Sequence, residues 1–357
     1  MFQLRIGQKI FLNPEDFNTD LIGFSELEQI AITFCRDWIR GIATFSQQSS
    51  GSTGTPKTIH VHREQMIHSA KATGDFFKVG HSNRLLCCLN PAYIAGKMML
   101  VRAMVWNCEI DLVKPSSDPL WEISGDKLPD FVAMVPLQIM AILEDSTSLE
   151  KLRKIKHIII GGAPLSENLK QKIVSSGIQA FQTYGMTETV SHIALAKIES
   201  GSLVYQTLNK VEVGQDNRGA LWVKSPVSGT ERVQTNDLVE LKTENSFAWL
   251  GRADFVINSG GIKIHPEILE AKSETIVLSI FPNSAFFFFG LKDYKLGEKL
   301  TLFIETDPSN SEKAKLLQRE LKLKLDRLEV PKEIYLIPRF EFTSSGKLDR
   351  RKTSSLL

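Results

Sequence analysis

Apolar positions in the first half of this chain follow two alternating periods. Leu27, Ile30, Ala31, Phe34 and Trp38 recur at helical spacing behind Ser25-Glu26-Leu27-Glu28, a sequence that fits a capping box. Residues 63–77 predict a second helix, with Met66, Ala70 and Phe77 on its apolar side. Short apolar runs at 85–89, 131–135, 158–160 and 178–181 predict strands, and helical patterns at 97–106, 136–143 and 166–176 fall between them. Strands that alternate with helices imply parallel pairings, because each helix supplies the crossover between two strands.

The texture changes near Val211, where short runs at 220–224, 238–241 and 247–250 read as hairpin strands. It changes again after Gly251. A helix over 266–273 with Pro266 at its first position, strands at 285–291 and 300–305, a helix at 311–327 and a strand at 333–337 form a small α+β unit. The expected fold class is α/β: a large N-terminal domain with mixed and parallel sheets flanked by helices, plus a small mobile α+β C-terminal domain. The boundary falls at Gly251–Asp254, giving domains 1–251 and 252–357. A length of 357 residues agrees with two units, since an average domain takes about 100–200.

Charge and cysteine usage narrow the partners. Lys plus Arg number 43 against 41 Asp plus Glu, a net charge of +2, so no global field draws the chain to nucleic acid or an anionic membrane. The four cysteines show no C-x-x-C or metal-ligand spacing, and Cys87-Cys88 sits in the apolar run RLLCCL, as in a buried strand. Reduced thiols fit a cytoplasmic protein. The N-terminal MFQLRIGQKIFL lacks the features of a signal peptide, and no apolar stretch reaches the roughly 18 residues of a membrane span.

Six segments carry chemistry. The first, SSGSTGTPK at 49–57, combines Gly51 and Gly54, which let backbone N–H groups approach phosphate oxygens, with the hydroxyls of Ser50, Ser52 and Thr53 and the charge of Lys57. It is not the common NTPase loop, which needs adjacent Gly-Lys at wider spacing. HIIIGGAPLS at 157–166 is an apolar strand that stops at Gly161, Gly162 and Ala163, where open α/β sheets bind ligands. TYGMTET at 183–189 gathers Tyr184, Gly185, Thr187 and Glu188 in a turn after a strand, and TNDLVEL at 235–241 sets Asp237 at a strand start. The stretch from Gly251 carries Arg252, Asp254, Gly260 and Gly261, and TSSGKLDRR at 343–351 presents Lys347 on a Ser/Gly loop. Singly, each has an ordinary reading: a flexible loop, a surface carboxylate, a strand-end cap, a plain turn, a solvated lysine.

In this order the six segments resemble the motif series of the acyl-adenylate-forming superfamily, which includes acyl- and aryl-CoA ligases, luciferases and the adenylation domains of peptide synthetases. The resemblance runs from about Ser49 to Arg351. It implies an enzyme that uses ATP, Mg²⁺ and CoA to convert a small-molecule carboxylic acid to a thioester, releasing AMP and pyrophosphate. Ser50, Gly51, Ser52, Thr53, Gly54 and Lys57 would cover the β- and γ-phosphates of ATP. Gly161, Gly162 and Ala163 would let adenine approach the backbone, with Tyr184 stacked on its face and Gly185 beside it. Thr187 would donate to the α-phosphate, Glu188 would hold Mg²⁺, and Asp237 with Arg252 would hold the ribose. Asp254 would be the hinge, Lys347 the mobile-domain catalytic cation, and Gly260 and Gly261 the lining of the CoA tunnel.

Two features depart from the family pattern. Thr58 follows Lys57 where the loop usually ends Lys-Gly, and only 48 residues precede the loop, which implies a shortened N-terminal subdomain and leaves open a homodimer over exposed sheet. The short chain, with AGKMM-VRA and TETVSHIAL, is similar to compact bacterial o-succinylbenzoate–CoA ligases of menaquinone biosynthesis. That acid keeps a second carboxylate, for which Tyr93, Gly96, Lys97, Arg102, Ser191 and His192 are the candidate contacts. Lys97 and Arg102 are about 140° apart around a helix, so both cannot face one ligand. Other readings are a CoA or carrier-protein ligase for another aryl or medium-chain acid, and a non-catalytic nucleotide sensor. Retention of Glu188 and Lys347 argues against the sensor.

Overall fold

The computed structural model of the chain describes residues 1–49, 57–123, 128–229, 231–342 and 348–357. Chain order begins with β1 (Gln3–Ile6), β2 (Lys9–Phe11), α1 (Glu26–Ile39) and the hairpin of β3 (Thr44–Ser49) and β4 (Lys57–His62). There follow α2 (Arg63–Phe77), β5 (Arg84–Cys87), α3 (Ile94–Trp106), β6 (Glu109–Leu112), β7 (Phe131–Met134), α4 (Pro136–Glu144) and α5 (Ser146–Lys154). Next come β8 (His157–Ile160), α6 (Glu167–Ser175) and β9 (Ala180–Gly185). Strands β1, β6, β5, β7, β8 and β9 lie side by side in that order, each neighbouring pair parallel, with β2 antiparallel on the edge.

Successive residues of these strands feed two different cores. Leu85, Cys87, Phe131, Ala133 and Ile159 pack with α1, α2 and α3. Leu86, Cys88, Val132, Met134, Ile158 and Ile160 pack with α4, α5 and α6. Side chains alternate faces along a strand, so a sheet covered on both sides produces unbroken apolar runs. This explains Cys87-Cys88: both thiols are buried, and burial raises their pKa, which keeps them inert.

The hairpin strands of the middle segment extend this same sheet. β10 (His192–Lys197), β11 (Val204–Thr207), β12 (Glu212–Gln215), β13 (Ala220–Lys224), β14 (Val233–Thr243) and β15 (Ser246–Arg252) add antiparallel in the order β10, β11, β15, β14, β13, β12. A second sheet has its own apolar core. It contains β16 (Ile257–Ser259), β17 (Ile262–Ile264), β18 (Phe286–Asp293), β19 (Gly297–Glu305) and β20 (Glu333–Ile337), with α7 (Pro266–Ile280), α8 (Ser311–Lys324) and α9 (Arg350–Ser354). The α/β class with a small α+β unit is as expected.

Several boundaries differ for identifiable reasons. The helix expected over 266–273 runs on to Ile280, because its inward face continues through Ser273 and Glu274, polar residues buried where the pattern wants apolar ones. The strand expected at 178–181 lies at 180–185 instead, so Tyr184 sits on a strand rather than in a turn. Asp237 lies inside β14 and not at its start. β1 pairs with β6, a hundred residues away in sequence, and neither carries a local signal strong enough to predict it.

Where the two sheets meet, Glu274 Oε2 of α7 accepts from the backbone N–H groups of Glu167 at 2.5 Å and Asn168 at 3.2 Å. Ser166 Oγ accepts from the Leu169 N–H. The start of α6 is thus capped partly from another unit, and a carboxylate there also complements the helix dipole. Replacing Glu274 with Ala should cost about 1–2 kcal/mol. Hydrogen exchange should quicken at the start of α6 and along α7 and stay unchanged in β7 and β8; uniform quickening would contradict a local cap.

Candidate active site

In hydrogen-bonded order, β10, β11 and β15 separate β9 from β14. Four strand steps of about 4.8 Å would hold β9 and β14 roughly 19 Å apart in a flat sheet. Tyr184 Oη nevertheless donates to Asp237 Oδ2 at 2.7 Å. The antiparallel half therefore curls, bringing β14 to the end of β9. Tyr205 and Phe247, from the intervening strands, fill the concave side and meet the Tyr184 ring edge-on at centroid distances of 5.8 and 5.1 Å. Burial first, and then the Asp237 charge, push the Tyr184 phenol well above its usual value, so it remains a donor.

Register completes the cluster. Asp237 stands directly opposite Arg252 across β14 and β15, and Arg252 Nη1 lies 3.7 Å from Asp237 Oδ1. Trp249 Nε1 donates to the same oxygen at 3.3 Å. Trp249 belongs to none of the six motif segments. Its contribution follows only from pairing beside Asp237.

Beyond Tyr184 the chain makes a strained turn. Thr187–Thr189 is a single 3₁₀ turn, and Val190 follows at φ 64° and ψ −50°. The Ser191 N–H donates to Thr189 O at 2.6 Å across it. This is the uncommon γ-turn geometry, unfavourable for a β-branched residue. Buried Thr189 ties the turn to Met186 and Ser191 through its hydroxyl. Gly185 is required: a Cβ there would lie 2.4 Å from Ser191 O and 2.5 Å from His192 Cα. The tight reversal leaves Thr187 and exposed Glu188 on one side and sends Ser191 and His192 inward. Among the described residues, the Glu188 carboxylate has no hydrogen bond or ion pair. A free hard-oxygen donor of this kind fits Mg²⁺, which usually takes one or two protein carboxylates together with phosphate and water.

After β8, Gly161, Gly162 and Ala163 leave the carboxyl edge of the parallel strands, with Gly162 at φ 89°. Across the edge stands α3. Tyr93 caps its start and is exposed, and Gly96 packs against the carbonyls of Leu89 and Asn90. Lys97 turns toward the β3–β4 hairpin, donating to Gln47 Oε1 at 2.9 Å, and burial lowers its pKa. Arg102, 2 % exposed, points the other way and donates from Nη2 to Ser191 Oγ at 3.0 Å, with His192 Nδ1 at 3.5 Å. Burial pulls the guanidinium down to about 10, which leaves it charged at neutral pH. Burial, and then Arg102, hold His192 well below its usual value, so the ring is neutral. The structure thus unites Arg102, Ser191 and His192 and separates Lys97 from them.

At the sheet junction, Gly251 has φ 133°, and a Cβ there would meet Glu267 Oε2 at 2.4 Å. Asp254 accepts from Arg252 Nη2 at 2.6 Å and from Asn236 Nδ2 at 3.2 Å. Gly260 and Gly261 form the turn between β16 and β17. Ser50, Gly51, Ser52, Thr53, Gly54 and Lys347 lie outside the described residues, and Lys57 opens β4 with its backbone opposite Ser49. Among the described residues no group of three or more His, Cys, Asp or Glu is arranged to hold a metal, and no helix is long and apolar enough to cross a membrane.

A curled mixed sheet with its polar cluster at the carboxyl edge of parallel strands is the architecture of a nucleotide-using α/β enzyme. The chain belongs to the AMP-binding enzyme family, whose match covers residues 44–228, just over half of the 357 residues. The expectation of an acyl-adenylate-forming enzyme is borne out at that level. The chain is similar to an acyl-CoA synthetase (AMP-forming)/AMP-acid ligase II-like protein from Dyadobacter fermentans. Identity is 37 %, over 97 % of this chain and 98 % of that one, with a TM-score of 0.64. It is 26 % identical to a probable 2-succinylbenzoate–CoA ligase of Mycobacterium tuberculosis, over 85 % of this chain and 81 % of that protein. The fold is also that of the o-succinylbenzoate CoA synthetase from Bacillus subtilis in complex with its acyl-adenylate intermediate. There the TM-score is 0.72 at 24 % identity, over 86 % of this chain and 68 % of that one.

Tyr184→Phe removes one donor to Asp237 and keeps the packed ring. AMP affinity, measured by calorimetry, should fall about five- to tenfold, with thermal stability nearly unchanged. Unchanged affinity would separate the Tyr184–Asp237 bond from nucleotide binding.

Proposed function

We propose that the protein is an ATP-dependent acid–CoA ligase that activates 2-succinylbenzoate, or an acid of the same shape with a second carboxylate, through an acyl-adenylate. The observation that carries the choice of acid is Arg102. Its guanidinium is buried on a largely apolar helix, and among the described residues no carboxylate pairs with it. Its Nε also lacks a partner among the described residues. A buried cation without a counter-charge is costly, and an anionic ligand offsets that cost. Ser191 Oγ accepts from Arg102 and is only partly buried, which leaves the hydroxyl open to a substrate carboxylate.

The reaction follows from the residues in their proposed roles. Asp237 accepts from the ribose hydroxyls, held in position by Tyr184, Trp249 and Arg252. Tyr184 stacks on adenine beside Gly161, Gly162, Ala163 and Gly185. Lys57 and the loop of Ser50, Gly51, Ser52, Thr53 and Gly54 cover the terminal phosphates. The succinyl carboxylate oxygen attacks the α-phosphorus, the bond to pyrophosphate breaks, and Thr187 and Lys347 stabilise the charge that develops. Mg²⁺, held through Glu188, would add further charge neutralisation at the phosphates. Positioning and fixed positive charge suffice for this step, without a covalent enzyme intermediate. The small domain then turns about Asp254, bringing Gly260 and Gly261 to the thiol path. CoA sulfur attacks the acyl carbon and AMP leaves.

ATP–pyrophosphate exchange across a panel of acids tests the reading. Exchange with 2-succinylbenzoate is expected, and none with any acid would favour a nucleotide sensor. In the same assays Lys347→Ala should largely abolish adenylation while sparing thioester formation from supplied acyl-adenylate. Equal loss of both half-reactions would sink the two-orientation mechanism.

Arg102→Met keeps the bulk and removes the charge. It should raise KM for the dicarboxylic acid about 10- to 100-fold and leave KM for ATP unchanged. Parallel rises in both would assign Arg102 to packing alone.

A further inference from the structure

Thr73, on α2, belongs to none of the motifs. It is wholly buried and its hydroxyl faces two partners: the Ser69 carbonyl one helical turn back, at 3.0 Å, and His192 Nε2 at 3.1 Å. A hydroxyl has a single proton to give, and here it goes to the carbonyl, which cannot donate. Thr73 can then only accept from the imidazole, so Nε2 carries the hydrogen and Nδ1 is bare. The other side of the ring gives the same answer independently. Nδ1 faces Arg102 Nη2 at 3.5 Å and Ser191 Oγ at 3.5 Å, and a guanidinium can only donate.

The helix pair that sets this contact is held tightly. Trp106 Nε1 of α3 donates to Ala70 O of α2 at 2.9 Å, and a Cβ at Gly74 would lie 2.6 Å from that nitrogen. Close approach at Gly74 thus aligns the α2 face carrying Thr73 with the α3 face carrying Arg102. One connected network results, in which Arg102 donates to Ser191 on one side and to His192 on the other, His192 to Thr73, and Thr73 to the Ser69 carbonyl.

We propose that Thr73 is a positioning residue for acid selection, locking His192 in the Nε2–H tautomer so that its Nδ1 accepts from Arg102 and holds the guanidinium against Ser191. The inference rests on the proposed function in assigning Arg102 and Ser191 to the acid's second carboxylate. With Val at position 73 the imidazole loses its acceptor, and the alternative tautomer would turn an N–H on Arg102. Discrimination between acids with and without that carboxylate is then lost, although Thr73 itself touches no substrate.

The test compares wild type, Thr73→Val and Thr73→Ser by two readouts. Imidazole ¹⁵N spectra of the free protein should show the Nε2–H tautomer for His192 in wild type and in Thr73→Ser, and lose it in Thr73→Val. KM is then measured for 2-succinylbenzoate and for 4-oxo-4-phenylbutanoate, which lacks the ring carboxylate. Thr73→Val should raise the first about tenfold relative to the second, with kcat and KM for ATP retained, and Thr73→Ser should restore it. Equal changes for both acids would overturn the proposal, as would a wild-type ring in the other tautomer or one that Thr73→Val leaves unchanged. If wild type adenylates neither acid, the proposed function fails and takes the acid-selection role of Thr73 with it. The spectra in that case still report separately on whether the tautomer lock exists.

Discussion

The bond between Tyr184 and Asp237 is the constraint on which the rest of the site depends. It joins two strands that lie far apart in sheet order, and it forms only because the antiparallel half of the sheet curls over the end of the parallel half. Tyr205 and Phe247 make that curl favourable by filling its concave side with aromatic surface. Arg252 then meets the same carboxylate by direct register, and a bulge at Leu250 of β15 turns Trp249 to the same face.

A second constraint runs through α3. On α3 Arg102 lies on a buried face, 2 % exposed and without a route to water, so it must find its partners inside. The inward reversal at Val190 supplies two of them, Ser191 and His192. A β-branched residue held in a γ-turn stores strain of about 1–3 kcal/mol, and the buried Thr189 hydroxyl, bonded on both sides of the turn, helps hold it there. The same reversal leaves Glu188 outward and, among the described residues, unpaired. In the proposed function, one turn therefore serves both the phosphate side and the acid side.

Much of this was legible before the fold was known. Strands buried on both faces announce themselves as unbroken apolar runs, and helices with clean caps and one apolar side keep their boundaries, as the helix at Arg63–Phe77 does. Legibility failed where an inward position is polar. Ser273 and Glu274 cut short the visible pattern of α7, and Asn236 and Asp237 did the same within β14. In α7 the buried carboxylate caps another helix, and in β14 the half-buried Asp237 accepts from Tyr184 and Trp249, so tertiary contacts account for the broken periodicity.

Taken alone, the sequence determined the α/β class, the order of the six motifs and the residue types at the site, because those depend on local spacing and on chemistry carried within short segments. Tertiary structure decided which groups meet. The curl that brings Tyr184 to Asp237, the bulged register that adds Trp249, the opposite directions of Lys97 and Arg102, and the contact of Thr73 with His192 all join residues distant along the chain. Local patterns encode burial and backbone geometry; they do not encode the partner that a buried polar group will find. That choice is made when the elements pack, since each such group must be satisfied by whatever the fold brings within about 3 Å of it.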